Sequence, residues 1–450
     1  MSGLREDMSP TAAQPVPVLE LGDTIALIVG VVVGAGIFKT PSLVAANAGD
    51  AWTMLGAWLL GGVVSFIGAL CYAELATACP HAGGDYHFLT RAYGRKLSFL
   101  FAWARLAVIT TGSIALLAFV FGDYCSRLYS LGAYSSAIYA ASIVGVLTMV
   151  NIAGVKSGTA TQNWLTALQV MGLLALVLAG LVLAPAASTA AISAGGERAQ
   201  PAFGLSMVFV LLTYGGWNEA AYISAEVKNG RRNMLRALVW SMIIVTLLYL
   251  LVNLALLRGL GLAGMARSPV VAADLLQQVW GSAGAQAISV LIAISALTSI
   301  NATIIFGARS NYAWGRDWAL LGSLGHWNAR TGSPTRALLA QGAVALTLIA
   351  FGALMREGFE TMVDYTAPVF WLFFLLTGVA LFVLRWREPE LARPFRVPLY
   401  PWLPLAFCTS SAWLLYSSLA YTRTGALVGV AVLVTGLPLL ALAARRASPQ

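Results

Sequence analysis

Residues 30–38, GVVVGAGIF, interrupt a hydrophobic stretch near the N-terminus, and residues 213–219, TYGGWNE, interrupt another in the middle of the chain. Each stretch is otherwise long and apolar enough to form a membrane-spanning helix. A break inside lipid leaves backbone N–H and C=O groups without partners, which is tolerated only where they line a cavity or meet a ligand. Two breaks in corresponding positions of two halves therefore predict a binding site near the bilayer midplane.

The composition fits a membrane protein. The chain has 450 residues, of which 59% are hydrophobic and 10% are charged, and its mean hydropathy is +0.79. These values exclude an ordinary soluble globular protein and are typical of a polytopic membrane protein. The net charge of +9 lies mainly at the ends of hydrophobic stretches. There it is expected to face anionic lipid rather than nucleic acid.

About 12 hydrophobic stretches have the length that a spanning helix needs, which predicts an all-α integral membrane protein. Lys and Arg concentrate in alternate loops, so both termini are expected to be cytoplasmic. Compact loops and short termini indicate a prokaryotic inner membrane. The predicted spans cover residues 22–46, 51–78, 97–124, 134–152, 162–184, 203–226, 235–258, 284–312, 335–354, 359–385, 401–421 and 424–444.

The broken spans are the first and the sixth. An offset of five spans inverts the second group relative to the first, which predicts an inverted five-plus-five repeat with two additional C-terminal helices. We expect a single transmembrane domain between two short tails, with longer polar loops after the second and eighth spans. The expected bounds are 1–20 and 446–450 for the tails, 21–445 for the domain, 21–184 and 203–385 for the repeats, 401–444 for the additional helices, and 80–96 and 311–334 for the loops.

Several motifs follow one another in a fixed order. They are GAGIF at 34–38, GALCYAEL at 68–75 with GGDY at 83–86, YGGWN at 214–218 followed by EVKN at 226–229, Asn301 with Arg309 and Asp317, and RPFRVP at 393–398. Together they resemble the amino acid–polyamine–organocation superfamily, and within it the L-type amino acid transporters, from about Leu21 to Pro404. The resemblance implies a leucine-transporter-like fold and secondary transport of amino acids by alternating access, without a cofactor.

The first break suits a carboxylate. Gly34 and Gly36 carry no side chain, so a ligand can approach the main chain closely. The N–H groups of Ala35, Gly36 and Ile37 would open a half-helix whose positive dipole end faces an anion. Close helix packing through the pair Gly30 and Gly34 is the alternative, and both interpretations can hold together.

The second break suits an amine. Unwinding at residues 214–216 frees carbonyl groups, and the C-terminal end of a half-helix attracts cations. By resemblance, the carbonyls of Leu212, Thr213, Gly215 and Val32 would hold the α-ammonium group. Backbone dipoles alone would then fix both ends of a zwitterion, without a buried side-chain charge.

Two positions depart from the family pattern. Relatives have an aromatic gate where this chain has Leu212, so Tyr214 or Trp217 takes that role or the gate is aliphatic. Relatives also carry a lysine in span five, whose ammonium replaces a sodium ion, where this chain has Gln169. Because glutamine carries no proton charge, Gln169 is expected to bridge spans one and five structurally rather than to couple transport to protons.

Ionisable groups inside a span are functional candidates by default. Glu219 is a candidate to pair with a cation, to accept a coupling proton, or to hydrogen-bond a neighbouring helix. An unpaired Arg105 would be costly, so it is expected to pair with an acid such as Glu219 or to extend to the interface. Asn218 and Asn301 are further candidates for gating or coupling. Glu74 and Glu226 are expected either in an inner gate with Lys228, Arg309 or Arg316, or as solvated interface charges.

We expect a transporter of neutral amino acids, because few fixed charges point to the pocket. The alternatives are a cationic amino acid or polyamine permease, an integral-membrane enzyme, and a channel or sensor of the same fold. The enzyme would rest on His81, Asp85 and His87 alone, so no catalytic residue is assigned. We expect no bound metal and no partner subunit. We also do not expect an ATP-driven pump, because no phosphate-binding GxxxxGK[ST] motif is present.

Overall fold

The structure, a computed structural model, describes residues 15–185, 203–268, 270–355, 367–422 and 426–446. Within these ranges the chain is helical, and its only strand-like features are two isolated backbone bridges. Ten described helices are long and apolar enough to span a membrane, and the two broken spans add to them. Most of both predicted tails, and the predicted starts of the tenth and twelfth spans, lie outside the described residues.

The first predicted span is broken as expected. Helix α1 (Leu21–Val32) ends two residues before a 3₁₀ turn (Ala35–Phe38), and helix α2 (Thr40–Ala48) completes the crossing. Helix α3 (Ala51–Ala78) follows after a tight turn. Its N-terminus is capped by Asp50, whose carboxylate accepts the N–H groups of residues 52 and 53 at 2.9 Å each.

The segment 80–96 was predicted to be a loop, and this is wrong. It contains helix α4 (Asp85–Tyr93) and the start of helix α5 (Arg95–Ala104), which continues through a π turn (Arg105–Ile109) into helix α6 (Thr110–Leu128). Helix α4 forms because its apolar residues recur at a helical spacing and are buried on one face. Its polar composition hides that short pattern.

The remaining helices follow the predicted order with longer bounds. The fifth span begins at residue 155 rather than 162, and a short amphipathic helix, α11, was not predicted before the eighth span. The elements are α7 (Ser135–Ala153), α8 (Val155–Leu178, extended by a π turn to Leu183), α9 (Phe203–Thr213), a 3₁₀ turn (Trp217–Ile223), α10 (Gly230–Arg267), α11 (Val271–Trp280), α12 (Ser282–Asp317), α13 (Thr335–Leu354), α14 (Ala367–Arg387), α15 (Trp402–Thr422) and α16 (Ala426–Arg446).

Buried apolar side chains form several separate clusters between these helices. The first core joins the broken spans with α3 and α10 and includes Trp58 and Tyr249. The second core joins α6, α7, α12 and α13 and includes Phe119 and Ile300. The order of broken and continuous spans recurs after five, so the fold is an all-α inverted five-plus-five repeat with two added helices. The exact bounds of the two repeats stay a prediction.

Candidate ligand-binding site

The two helix breaks line one cavity of about 210 Å³. The second break comes close to α1 because Gly216 adopts a left-handed conformation, with φ of 109°. A Cβ atom added there would lie 3.4 Å from the carbonyl oxygen of Val31. The cavity is lined by Val31, Val32, Gly34, Ala35, Gly36, Leu117, Leu212, Thr213, Gly215, Ser299 and Thr303.

The first break borders this cavity with Gly34, Ala35 and Gly36. The N–H of Gly34 turns back to the Val32 carbonyl at 2.8 Å, and the 3₁₀ turn then starts at Ala35. The first N–H groups of a helix have no acceptor inside it, and here the first two belong to Ala35 and Gly36. Ile37, the third predicted contributor, has a fully buried side chain and does not line the cavity.

Different glycines of the first break serve packing and the cavity. A Cβ atom at Gly30 would lie 2.2 Å from Gln162 Nε2 and 2.5 Å from Thr166 Oγ1, so this glycine allows α1 to pack against α8. A Cβ atom at Gly36 would instead meet the side chain of Thr213 across the cavity, at 3.2 Å. The packing and binding interpretations therefore apply to different positions in one motif.

A buried tyrosine joins the two breaks. The Tyr249 hydroxyl from α10 lies 2.9 Å from the carbonyl oxygen of Val32 and 3.1 Å from that of Thr213. Sequence reasoning missed this residue. The available signal was a tyrosine inside an apolar span, since a buried tyrosine hydroxyl nearly always needs a hydrogen-bond partner. Two other carbonyls were expected at the break, those of Leu212 and Gly215. That of Leu212 accepts the N–H of Gly215 at 3.1 Å.

Leu212 lies at the cavity, whereas the aromatic gate candidates do not. Its side chain is 51% exposed and forms part of the cavity wall. Tyr214 is buried, and its hydroxyl donates to the carbonyl of Trp58 at 3.1 Å. Trp217 packs edge-to-face against Tyr72, with ring centroids 5.2 Å apart. Of the three gate candidates, Leu212 is therefore the one that lines the cavity.

Gln169 and Asn301 tie spans together outside the cavity. The Gln169 amide donates to the carbonyl of Val33, which links α8 to the end of α1. Asn301 donates to the Gln162 side chain at 2.9 Å and accepts from Asn151 at 2.8 Å, which joins α12, α8 and α7. These contacts give both residues a bridging role in this conformation.

The two ionisable groups inside the spans pair with each other. Two N–H groups of Arg105 donate to the two carboxylate oxygens of Glu219, at 3.0 and 2.8 Å. The guanidinium also lies 4.3 Å from the ring centroid of Tyr222. Asn218, next to Glu219, is buried and borders a small cavity with Arg105. Pairing removes most of the cost of placing either charge in the membrane.

One end of the molecule is closed by ion pairs, and we call it the ion-pair face. Glu226 and Arg309 are 1% and 4% exposed and form a two-point pair. Near them, the Leu19 N–H donates to the Glu226 carbonyl at 2.9 Å, which fastens the start of α1 to the chain after the second break. Further bonds close this face through Glu74 with Arg385 at 2.6 Å, Arg91 with Glu388, and Lys228 with Glu20 at 3.0 Å.

The opposite end, the vestibule face, contains a cavity of about 650 Å³. Ala35 borders both this vestibule and the smaller cavity at the breaks. The vestibule carries charges of both signs on Lys39, Asp123 and Arg127. The two cavities are therefore neighbours, and the larger one lies on the side away from the ion pairs.

The histidine cluster does not form a metal centre. His81 and His87 stack with ring centroids 4.1 Å apart. Burial lowers the pKa of both, that of His87 to about 3, so they stay neutral at physiological pH. Asp85 turns away from them toward Tyr222, whose hydroxyl donates to it at 3.1 Å. Within the described ranges, no group of three or more His, Cys, Asp and Glu side chains is arranged to hold a metal ion.

Comparison with known proteins agrees with this geometry. The family model described as amino acid permease matches residues 19–438. The chain belongs to the amino acid permease family. The permease is 31% identical to the human b(0,+)-type amino acid transporter 1 over 381 residues, which cover 83% of this chain and 77% of that protein. It is therefore an integral membrane protein that transports amino acids.

Two further relatives cover more of the permease. The serine/threonine exchanger SteT of Bacillus subtilis is 27% identical over 420 residues, 92% of this chain and 94% of that protein. The human large neutral amino acids transporter small subunit 2 is 28% identical over 428 residues, 92% of this chain and 77% of that protein. The residues that the family model matches, 19–438, include both helix breaks.

Proposed function

We propose that the permease exchanges neutral amino acids and binds each one as a zwitterion between the two helix breaks. The observation that carries this proposal is the lining of the shared cavity. Backbone groups of both breaks border it, and no ionisable side chain of the described residues does. A site of this kind recognises the charged ends of an amino acid by dipoles and leaves the side chain to apolar and hydroxyl contacts.

The carboxylate is assigned to the first break. The N–H groups of Ala35 and Gly36 begin the 3₁₀ turn, and Ile37 continues it. Hydrogen bonds to a charged acceptor are worth about 1.5–3 kcal/mol each. The glycine at position 36 lets the carboxylate approach the main chain, because a side chain there would occupy the space toward Thr213.

The ammonium group is assigned to carbonyls at the ends of α1 and α9. Val32 and Thr213 both direct their carbonyl oxygens to the Tyr249 hydroxyl, so they converge. A carbonyl oxygen has two lone pairs, so that of Thr213 can accept the ammonium group while it keeps the tyrosine. The Val32 carbonyl also accepts the Gly34 N–H at 2.8 Å, so there the ammonium group would take the place of the tyrosine hydroxyl. Leu212 and Gly215 border the same space and complete the proposed set.

A small or medium neutral side chain fits the rest of the cavity. Val31, Leu117 and Leu212 offer apolar surface, and Ser299 and Thr303 offer hydroxyl groups. A cationic substrate would need an acid in the pocket. The carboxylate of Glu219 is instead occupied by Arg105, so the cationic alternative lacks a partner.

The proposal also includes the mode of transport, which is exchange, and the orientation of the protein in the membrane. The vestibule is open and the ion-pair face is closed, which fits one state of an alternating-access cycle. Gln169 carries no charge that could follow a proton, and the Bacillus relative is named as an exchanger, so we assign obligatory exchange. The Lys and Arg distribution supports a cytoplasmic ion-pair face, with both termini on that side of a prokaryotic inner membrane.

We further propose that one chain suffices, organised as one transmembrane domain with repeats at about 21–184 and 203–385. A covalent partner would need an accessible thiol. Cys71 and Cys79 are buried, while Cys125 and Cys408 are half-buried. Transport by the purified chain alone would support this, and transport only after co-expression with a second protein would overturn it.

The test is uptake of labelled amino acids into liposomes that contain the purified permease. We expect uptake of neutral amino acids only when unlabelled amino acid is present inside, and little competition by arginine or glutamate. Empty liposomes are the control for leakage. Accumulation driven by a pH gradient without internal substrate would contradict exchange, and preferred uptake of arginine would contradict the neutral assignment. Recovery of a chemically altered amino acid would indicate an enzyme.

A further inference from the structure

A buried polar cluster lies where α4 meets the 3₁₀ turn after the second break. Asp85 is the first residue of α4 and is 4% exposed. Tyr222, from the turn, donates its hydroxyl to Asp85 Oδ2 at 3.1 Å. The contact is close because Gly84 has φ of 46°, and a Cβ atom there would lie 2.7 Å from the Tyr222 ring. The start of α4 and the 3₁₀ turn after the second break are therefore in direct contact.

The charges of this cluster do not balance. Arg105 directs two N–H groups to Glu219, so the only guanidinium is already paired. Asp85 is left without a cation of its own. Its second oxygen, Oδ1, and the hydroxyl of neighbouring Tyr72 are both buried and make no hydrogen bond of good geometry in the described part of the chain. Arg105 Nε and Asn218 Nδ2 are buried and unpartnered in the same way. Asp85, Arg105 and Asn218 border one enclosed space of about 10 Å³.

We propose that Asp85 is a proton-binding site whose protonation holds the ion-pair face closed. This inference rests on the proposed alternating cycle. While the face is closed, Asp85 lies away from water beside a guanidinium that is already paired with Glu219, which favours the neutral acid. When the face opens, α4 separates from the turn, water hydrates Asp85, and its O–H bond releases a proton to the solution on that side. The same compartment supplies the proton on closing, so no proton crosses the membrane.

The groups around Asp85 determine its pKa and therefore the pH range in which it binds a proton. Burial is the largest effect and raises the pKa of Asp85 to about 6. Arg105 from the π turn, Tyr72 from α3 and the Tyr222 hydroxyl oppose this rise, whereas Glu219 adds to it. Helix α14 contributes only phenylalanines to the enclosed space. No other titratable or charged group of the described residues is resolved as acting on Asp85.

The direction of the pH dependence follows from the pKa of Asp85 in the closed and in the open state. An exposed aspartate has a pKa near 4, so protonation favours the closed face, which is fully stabilised below about pH 4. This stabilisation is lost as the pH rises to about 6 and is absent above it. A pKa difference of about two corresponds to about a hundredfold change in the ratio of closed to open molecules.

Cys79 provides a probe of opening. It lies buried at the end of α3, and Arg91 donates to its sulfur at 2.9 Å on the ion-pair face. The other three cysteines are replaced by alanine, and alkylation of Cys79 by a maleimide is followed in liposomes from pH 4.5 to 7.5. Each rate is divided by that of the same chain carrying Asp85→Asn, which cancels the intrinsic pH dependence of the thiol.

We expect this ratio of rates to rise with pH, by up to about a hundredfold in all, and to level off above pH 6. Asp317→Asn is the matched control, because that carboxylate also accepts from a tyrosine, Tyr86 at 2.8 Å, but is exposed. The Asp317→Asn variant should show the same pH dependence of the alkylation rate as the chain without this substitution. A ratio that stays constant with pH would overturn the proposal.

Two further variants keep the proposal testable if Asp85→Asn does not fold. Tyr222→Phe removes a hydrogen bond that favours the charged form, so the midpoint of the unsubstituted profile should move to higher pH. Glu219→Gln frees Arg105 to neutralise Asp85, so the midpoint should move to lower pH. Unmoved midpoints in both would reject the assignment. Alkylation needs no substrate, so a failure of amino acid exchange would count against the proposed function alone.

Discussion

Replacing Gly36 by alanine tests the carboxylate half of the site with the smallest possible change. The new Cβ atom would lie 3.2 Å from Thr213 Cγ2 and 3.4 Å from its Oγ1, which is tighter than ordinary contact. Overpacking of this kind costs about 1–3 kcal/mol. The clash is relieved if the 3₁₀ turn moves away from the bound carboxylate. That movement weakens the hydrogen bonds between the turn and the carboxylate, which are worth a similar amount. We therefore expect KM to rise by about tenfold, since 1.4 kcal/mol corresponds to a factor of ten.

The second substitution Thr213→Ser tests whether that contact is the cause. It removes Cγ2, the atom nearest to the added Cβ, and keeps the hydroxyl that bonds Thr40 at 2.8 Å. The double variant should recover most of the lost affinity in exchange assays with liposomes. Gly56→Ala in α3 is the control, because a Cβ there meets nothing within 4 Å. Unchanged KM in Gly36→Ala, or no recovery in a folded double variant, would refute the reasoning.

Two other substitutions probe the contacts around the site. Tyr249→Phe removes the hydroxyl donor from the Thr213 carbonyl, at about 1–3 kcal/mol, and should raise KM in exchange assays; Tyr214→Phe, whose hydroxyl bonds away from the cavity, should not. Glu226→Gln leaves Arg309 buried and unpaired, which costs about 3–5 kcal/mol and should lower the melting temperature in detergent. Glu388→Gln breaks a partly exposed pair and should cost less than about 1 kcal/mol; equal losses from both would contradict the burial argument.

Long apolar stretches made most of the fold predictable. Glycine runs inside them indicated the broken spans, because backbone groups in lipid must find partners and glycine permits the irregular chain. Helices α4 and α11 were missed for the opposite reason. Each is about ten residues long and lies in a segment between spans, where a short amphipathic pattern is hard to distinguish from a polar loop.

The sequence predicted those parts of the site that depend on residues within a single motif or span. Backbone donors at the first break follow from the glycines themselves, and the partner of Arg105 followed from the cost of an unpaired charge in a span. Tyr249 lies 217 positions from Val32 along the chain, and nothing in either motif indicates their contact. Which of Leu212, Tyr214 and Trp217 faces the cavity likewise depends on how the chain leaves α9 and enters the following 3₁₀ turn.

Charged closure of the ion-pair face has a physical consequence for an alternating cycle. The Glu226–Arg309 pair is buried, and burial removes hydration that is only partly recovered by pairing. Opening restores that hydration to both groups, whereas opening an apolar seal exposes surface at about 25 cal/mol per Å² without compensation. Ion pairs can therefore hold the face closed while keeping the energies of the two states close. In the proposed cycle Asp85 is also buried while the face is closed, but a proton neutralises it instead of an arginine. Its contribution to the stability of the closed state therefore depends on pH.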